Sequence, residues 1–137
     1  MSSLEILEYL LARDGIDVDA RSSEDKTPLF LATSLGHIES VEKLIRAGSD
    51  VNICDHQNLC RGEYPLHMAY HPDICHLLIR HGARIDAVNR YNKTLLHKLM
   101  EHGSLEVVHM LLYYNADANV PDEDCHTTFM AALHHRR

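Results

Sequence analysis

A chain of 137 residues, 45% hydrophobic and 24% charged, has the composition of an ordinary globular protein with room for one modest core. Its formal net charge of −7 argues against a general nucleic-acid binder, since phosphate contacts need clustered Lys and Arg, and leaves another protein as the expected partner. No apolar run approaches the roughly 18 residues that cross a bilayer, and Met1-Ser2-Ser3 leads into a segment carrying Glu5 and Glu8. No membrane association is expected, and the location expected is cytoplasmic and/or nuclear.

In chain order, Leu4, Leu7, Leu10 and Leu11 predict a helix near residues 3–14, capped by Ser2 or Ser3 and stopped by Gly15. Asp17 to Lys26 then reads as an extended hairpin whose tip, Ser22-Ser23-Glu24-Asp25, is short and acidic. Thr27 and Pro28 open a second helix, the threonine as a capping hydroxyl and the proline where no amide partner is lost. Leu29, Ala32 and Leu35 put apolar surface at helical spacing until Gly36 permits a left-handed turn. His37 to Ala47 forms a third, amphipathic helix with Ile38, Val41, Leu44 and Ile45 inside, stopped by Gly48.

This pattern recurs. Tyr64-Pro65-Leu66-His67-Met68-Ala69, Thr94-Leu95-Leu96-His97-Lys98-Leu99 and Thr127-Thr128-Phe129-Met130-Ala131-Ala132 overlay Thr27-Pro28-Leu29-Phe30-Leu31-Ala32, and Thr94 to Thr127 is 33 residues. The stops keep step at Gly15, Gly48, Gly82 and Asn115, asparagine being the best substitute for glycine in a left-handed cap. These residues resemble the ankyrin repeat, whose unit of about 33 residues opens on T-P-L-H-x-A. Gly15-Ile16-Asp17-Val18-Asp19, Gly48-Ser49-Asp50-Val51-Asn52 and Asn115-Ala116-Asp117-Ala118-Asn119 resemble the later part of that unit, so the likeness spans nearly the whole chain. The resemblance implies an all-α solenoid of stacked antiparallel helix pairs with protruding β-hairpin loops. It would be a single domain over residues 1–137: a half repeat and hairpin over 3–26, repeats over 27–63, 64–93 and 94–126, and a C-terminal half repeat over 127–137. Both ends are then incomplete, as in a piece of a longer array or a compact chain capped by single helices.

Two units depart from the pattern. The hairpin at 53–63 is enlarged by four residues, and the next unit has lost three, because Pro65 to Gly82 spans 17 positions whereas Pro28 to Gly48 spans 20. A shortened first helix is expected there, with Pro72 opening the helix that follows. In the 94–126 unit Leu99 takes the slot of Ala32, where overpacking would cost about 1–3 kcal/mol unless space is found.

Twelve histidines draw attention to metal or acid–base chemistry. The resemblance gives His67 and His97 a structural task, bonding to hairpin backbone, and His37 a place at a helix start. Cys54, His56 and Cys60, with His67 and His71, permit a zinc site to be drawn, but five residues separate the two cysteines where structural sites use about two to four. No metal or cofactor is expected, and the four cysteines are expected to be reduced. No phosphate loop, nucleophile elbow or H-E-x-x-H is present, and the carboxylate pairs Glu24-Asp25 and Glu123-Asp124 sit at tips where desolvation is slight, so no enzyme is expected.

By resemblance the function is protein recognition by a monomer, through hairpin tips and the outer faces of the first helices. The candidate contacts at the tips are Ser23, Glu24, Asp25, Asp55, His56, Gln57, Asn58, Arg90, Tyr91, Asn92, Asp122, Glu123 and Asp124; on the first helices they are Thr33, Ser34, Tyr70, Met100 and Glu101. Tyr70 and Tyr91 are the expected anchors, since aromatic residues carry much interface energy. Two narrower readings are the substrate-recognition array of a ubiquitin-ligase adaptor resembling the ankyrin and SOCS-box family, with the box absent after residue 135, and an ankyrin-type inhibitor of a transcription factor. Leu44, Asp50 and Val51 before Asn52 also resemble the pattern that the asparaginyl hydroxylase of hypoxia-inducible factor modifies, which makes Asn52 a candidate for hydroxylation. Asn119 matches that pattern less well.

Overall fold

Each helix begins where a side chain or a proline resolves the problem of its unpartnered first amides. In the computed structural model, which describes residues 2–55, 62–102 and 104–134, α1 (Ser3–Leu11) starts on a reciprocal cap. Ser2 Oγ accepts from the Glu5 amide at 3.2 Å, and the Glu5 carboxylate accepts from the Ser2 amide at 2.7 Å. The Thr27 hydroxyl accepts from the Phe30 amide at 3.2 Å to open α2 (Pro28–Ser34). α3 (Ile38–Arg46) follows directly after a turn through Gly36, whose φ is +72°. The next first helix is reduced to a four-residue 3-10 turn, Pro65–Met68. His71 Nδ1 then accepts from the Asp73 amide at 3.2 Å and Pro72 begins α4 (Pro72–Arg80). α5 (Leu95–His102), α6 (Leu105–Tyr113) and α7 (Thr128–His134) complete the array.

The helices stack in two layers. α2, the Pro65–Met68 turn, α5 and α7 pack in succession as one layer, and α1, α3, α4 and α6 pack in succession as the other. Between them lies a continuous core that includes Leu29, Val41, Leu44, Leu66, Ile74, Leu78, Leu95, Val107 and Leu111. Leu99 has no exposed surface and joins that core; the first-layer element packed before its helix is only the short turn. The second-layer helices end on left-handed residues in register, Gly48, Gly82 and Asn115, with φ of +94°, +90° and +61°.

The joints between units carry a repeated polar bond. The Asp19 carboxylate accepts from the Asp50 amide at 3.0 Å, and Asp86 Oδ1 accepts from the Asp117 amide at 2.9 Å. At the equivalent place Asn52 Oδ1 accepts from the Arg84 amide at 3.0 Å while its Nδ2 donates to the Gly82 carbonyl at 2.9 Å. The protruding loops are turns, with no strand among the described residues. Backbone bonds from Ser22 N to Lys26 O, Asn89 N to Lys93 O and Asp122 N to His126 O, each with a second bond back to the first residue from Asp25, Asn92 or Cys125 N, close them over so few residues that no ladder can extend. Among the described residues no helix is long and apolar enough to cross a membrane.

Candidate functional site

Every loop is folded by the polar residue that begins it. The Ser22 hydroxyl accepts from the amides of Glu24 and Lys26, at 3.2 and 3.3 Å. Asn89 Oδ1 accepts from those of Tyr91 and Lys93, at 2.9 and 3.1 Å, and Asp122 Oδ1 from those of Asp124 and His126, at 3.0 and 2.8 Å. Asp55 Oδ1 accepts from the Glu63 amide at 2.5 Å, so the longer loop closes on the same device. The residue before each closure is left-handed: Asp25, Gly62, Asn92 and Cys125. The tips are therefore set by local bonds.

This construction relocates three of the expected contacts. Asp55 and Asp122 are 5% and 7% exposed and spend their carboxylates on loop amides, so they shape the tips and leave contact to their neighbours. Thr33 is 2% exposed, on the buried side of α2. Ser23, Glu24, Ser34, Arg90, Asn92, Glu101, Glu123 and Asp124 are exposed, and Asp25, Tyr70, Tyr91 and Met100 are half-buried. His56, Gln57, Asn58 and Cys60 lie outside the described residues.

Successive tips are tied together. Arg21 donates to the Cys54 carbonyl at 3.2 Å, Asn89 Nδ2 to Glu63 Oε1 at 3.0 Å, and the Glu123 amide to the Tyr91 carbonyl at 3.0 Å. Between this row and the first-layer helices runs an open cleft of about 660 Å³, lined among others by Phe30, Met68, Tyr70, Tyr91, Lys98 and Glu123. Asp55, Tyr70, Tyr91, Glu101, Glu123 and Asp124, chosen from the sequence, share it, whereas Arg90, Asn92 and Met100 are not in its lining. At its floor Lys98 Nζ donates to Glu63 Oε2 at 2.9 Å, an ion pair joining two units, with the ammonium 5.8 Å from the Tyr70 ring centre. Lys93 pairs with Glu101 at 2.8 Å, and that hydrogen bond, helped by the charges of Glu101, Asp122 and Asp124, raises its pKa. Glu63 and Lys98 were missed in the sequence, although Glu63 occupies the register slot filled elsewhere by Lys26, Lys93 and His126, a change of charge sign that marks it.

The histidines of the repeated opening work as props. His67 Nδ1 accepts from the Tyr64 amide at 2.9 Å and its Nε2 lies 2.8 Å from the Ala87 carbonyl, which fixes the neutral ring with its proton on Nε2. Burial lowers its pKa. His97 repeats the arrangement with Thr94 and the His126 carbonyl, the latter at 3.3 Å. With both nitrogens of His67 engaged, it has none left for a metal. Among the described residues Asp122, Asp124 and His126 bring possible ligand atoms within 4.8 Å of one another, but Asp122 Oδ1 already serves two loop amides. Burial pushes the Cys75 thiol up to about 12 and also raises Cys54, so both are poor nucleophiles. Asn52, the residue at the hydroxylation spacing, is the joint described above, with both ends of its amide engaged.

Comparison with known proteins agrees with this architecture. The family model described as ankyrin repeats (3 copies) matches residues 1–55 and 41–122. Similar proteins include the putative ankyrin repeat protein FPV031 of fowlpox virus, 28% identical over 95% of this chain, and the ankyrin repeat protein nuc-2 of Neurospora crassa, 28% identical over 81%. The mouse B-cell lymphoma 3 protein homolog is 29% identical over 98% of the chain. The chain spans 39%, 10% and 30% of the lengths of these relatives, respectively. With a repeat of two stacked helices, loop tips tied in register and family matches running from residue 1 to residue 122, the chain belongs to the ankyrin repeat family, whose members are in general modules for binding other proteins.

Proposed function

We propose that this protein binds a partner protein along the cleft between its loop tips and its first-layer helices, without catalysis of its own. The observation that carries this reading is the cleft itself, which gathers residues from the loops of all four helix-pair joints and places the half-buried rings of Tyr70 and Tyr91 along it. Half-buried aromatic side chains are already partly ordered, so a partner covering them gains apolar contact at little entropic cost. The tips are prefolded by their own bonds, which lowers that cost further.

Photo-crosslinking tests the face directly. A photoreactive amino acid placed at Tyr91 should give a crosslinked partner in cell lysate, one at Glu39 on α3 should not, and Tyr70→Ala with Tyr91→Ala should abolish capture well below the variant's own melting temperature, which loss of the core contact of Tyr70 lowers. Equal crosslinking from both positions would refute the assignment. Mass spectrometry of the crosslinked product distinguishes elongin and cullin from a transcription factor, and so separates the adaptor and inhibitor readings.

A further inference from the structure

The charge along the cleft is uneven. Each lysine in its lining already faces a carboxylate: Lys26 with Glu24 at 2.5 Å, Lys93 with Glu101 at 2.8 Å and Lys98 with Glu63 at 2.9 Å. Glu123 and Asp124, exposed at the end of the cleft nearest α7, are in no ion pair among the described residues. They stand beside Tyr91, whose carbonyl accepts from the Glu123 amide. A surplus of negative charge next to an aromatic ring suits a cationic side chain, which gains from the carboxylates and the ring face together.

A second observation lies at the other end. Where the Pro65–Met68 turn replaces a full helix, a notch of about 310 Å³ opens, lined by Thr33, Ser34, Leu35, Gly36 and His71 and sharing Met68 and Tyr70 with the cleft. Ser34 Oγ donates to the Leu31 carbonyl at 2.9 Å, and the Thr33 hydroxyl, which has no partner, is shut in beneath the notch, out of reach of anything that enters it. An unsatisfied buried hydroxyl is costly to keep.

We propose that the cleft receives an extended basic segment of the partner protein, with a lysine or arginine against Glu123, Asp124 and the Tyr91 ring and its other end in the notch. This rests on the reading of the cleft as a protein-binding surface and adds the chemistry of what enters it. From the notch to the loop before α7 is two helix spacings, roughly 20 Å at the usual packing distance. About six extended residues span that length.

The test is fluorescence anisotropy at low salt with a labelled decapeptide of alternating lysine and alanine, and a glutamate–alanine decapeptide as control. The basic peptide should bind and the acidic one should not. Glu123→Gln with Asp124→Asn should weaken binding roughly five- to tenfold, by the worth of two partly exposed charges, while Glu39→Gln with Glu106→Gln, the same charge change on the outer helices, should alter it less than about twofold. Thr33→Val should raise the melting temperature, because the apolar isostere removes a buried unsatisfied hydroxyl, and should leave binding within about twofold, because that hydroxyl does not reach the notch. Equal weakening by both charge pairs would overturn the proposal, since net charge alone would then be at work; so would absence of binding. If the tyrosine variants lose their crosslinked partner while the basic peptide is ignored, protein recognition stands and the basic segment falls.

Discussion

Replacing Lys98 by methionine should cost this protein more than replacing Glu63 by glutamine, although both substitutions break the same ion pair. The difference follows from what each leaves behind. The Glu63 side chain is 6% exposed and that of Lys98 12%, with 2.9 Å between charged atoms. Without the ammonium, the carboxylate keeps the Asn89 amide at 3.0 Å, but His67 Nδ1, 3.5 Å away, holds no proton in the neutral ring and cannot donate. A buried carboxylate stripped of its cation costs about 3–4 kcal/mol. Glutamine at residue 63 keeps an acceptor oxygen, and the Lys98 ammonium, already over the Tyr70 ring and lining an open cleft, can reach water on its flexible stem, so that change should cost only about 1–2 kcal/mol. Because the second substitution removes a charge already stranded by the first, the double variant should lose less than the sum by about 1–2 kcal/mol. Urea denaturation followed by circular dichroism measures all four corners of the cycle, and added salt should leave the coupling nearly unchanged because the pair is buried. Additive losses, or a larger loss from Glu63→Gln, would refute the reasoning.

Other outcomes follow from single sites. Burial lowers the folded-state pKa of His67 below its ordinary 6.5, so the unfolded chain takes up the proton first and stability should fall as pH drops below about 6.5; denaturation midpoints across that range should show a shallower fall in His67→Asn. Leu99→Ala should destabilise by about 2–5 kcal/mol in the same urea assay, since the side chain is fully buried and the cavity cannot refill with water. Cys125 holds a φ of +61° at an exposed tip, and Cys125→Gly should raise the melting temperature by relieving a left-handed strain of about 1 kcal/mol. Asn52→Ala removes two bonds between units and should cost about 1–3 kcal/mol, with earlier hydrogen exchange at the Arg84 amide as the local signature.

Phase made most of the fold legible. A glycine or asparagine can end a helix left-handed at little cost and few other residues can, so Gly48, Gly82 and Asn115 announced three helix ends, and the Thr27-Pro28 pair announced a start, before any packing was known. The shortened opening at residues 65–68 was visible as three missing positions, but its 3-10 form depends on how Leu66 and His67 are held by neighbours, which no local pattern records. The site was read less well. Tip residues were chosen as polar and therefore wet, whereas a turn needs one polar side chain turned inward to satisfy its own amides; Asp55 and Asp122 are those inward residues. Thr33 was taken as an outer-face contact of its helix, whereas it is 2% exposed on the buried side of α2. The ion pair of Glu63 and Lys98 spans 35 residues, and pairing at that range appears only once the stacking distance brings the two units together.

The irregular unit is also the most heavily clamped. Its first helix is a four-residue turn where α2 has seven residues and α5 eight, so it offers less apolar surface to its neighbours than they offer to one another. Asn52 holds it with a bond in each direction, where Asp19 and Asp86 at equivalent joints serve only as acceptors. Glu63, the last residue of the preceding unit, takes Asn89 of this unit and Lys98 of the one beyond, and within the unit His67 reaches the Ala87 carbonyl at the base of the loop. Directional bonds thus stand in for lost hydrophobic contact, and they fix geometry where contact alone would let the short turn slide. That matters for binding because Tyr70 follows the turn and belongs to both the cleft and the notch. A clamp variant such as Glu63→Gln, which leaves every exposed cleft residue in place, should therefore weaken partner binding through the position of Tyr70 and leave the acid-rich end beside Tyr91 unaffected.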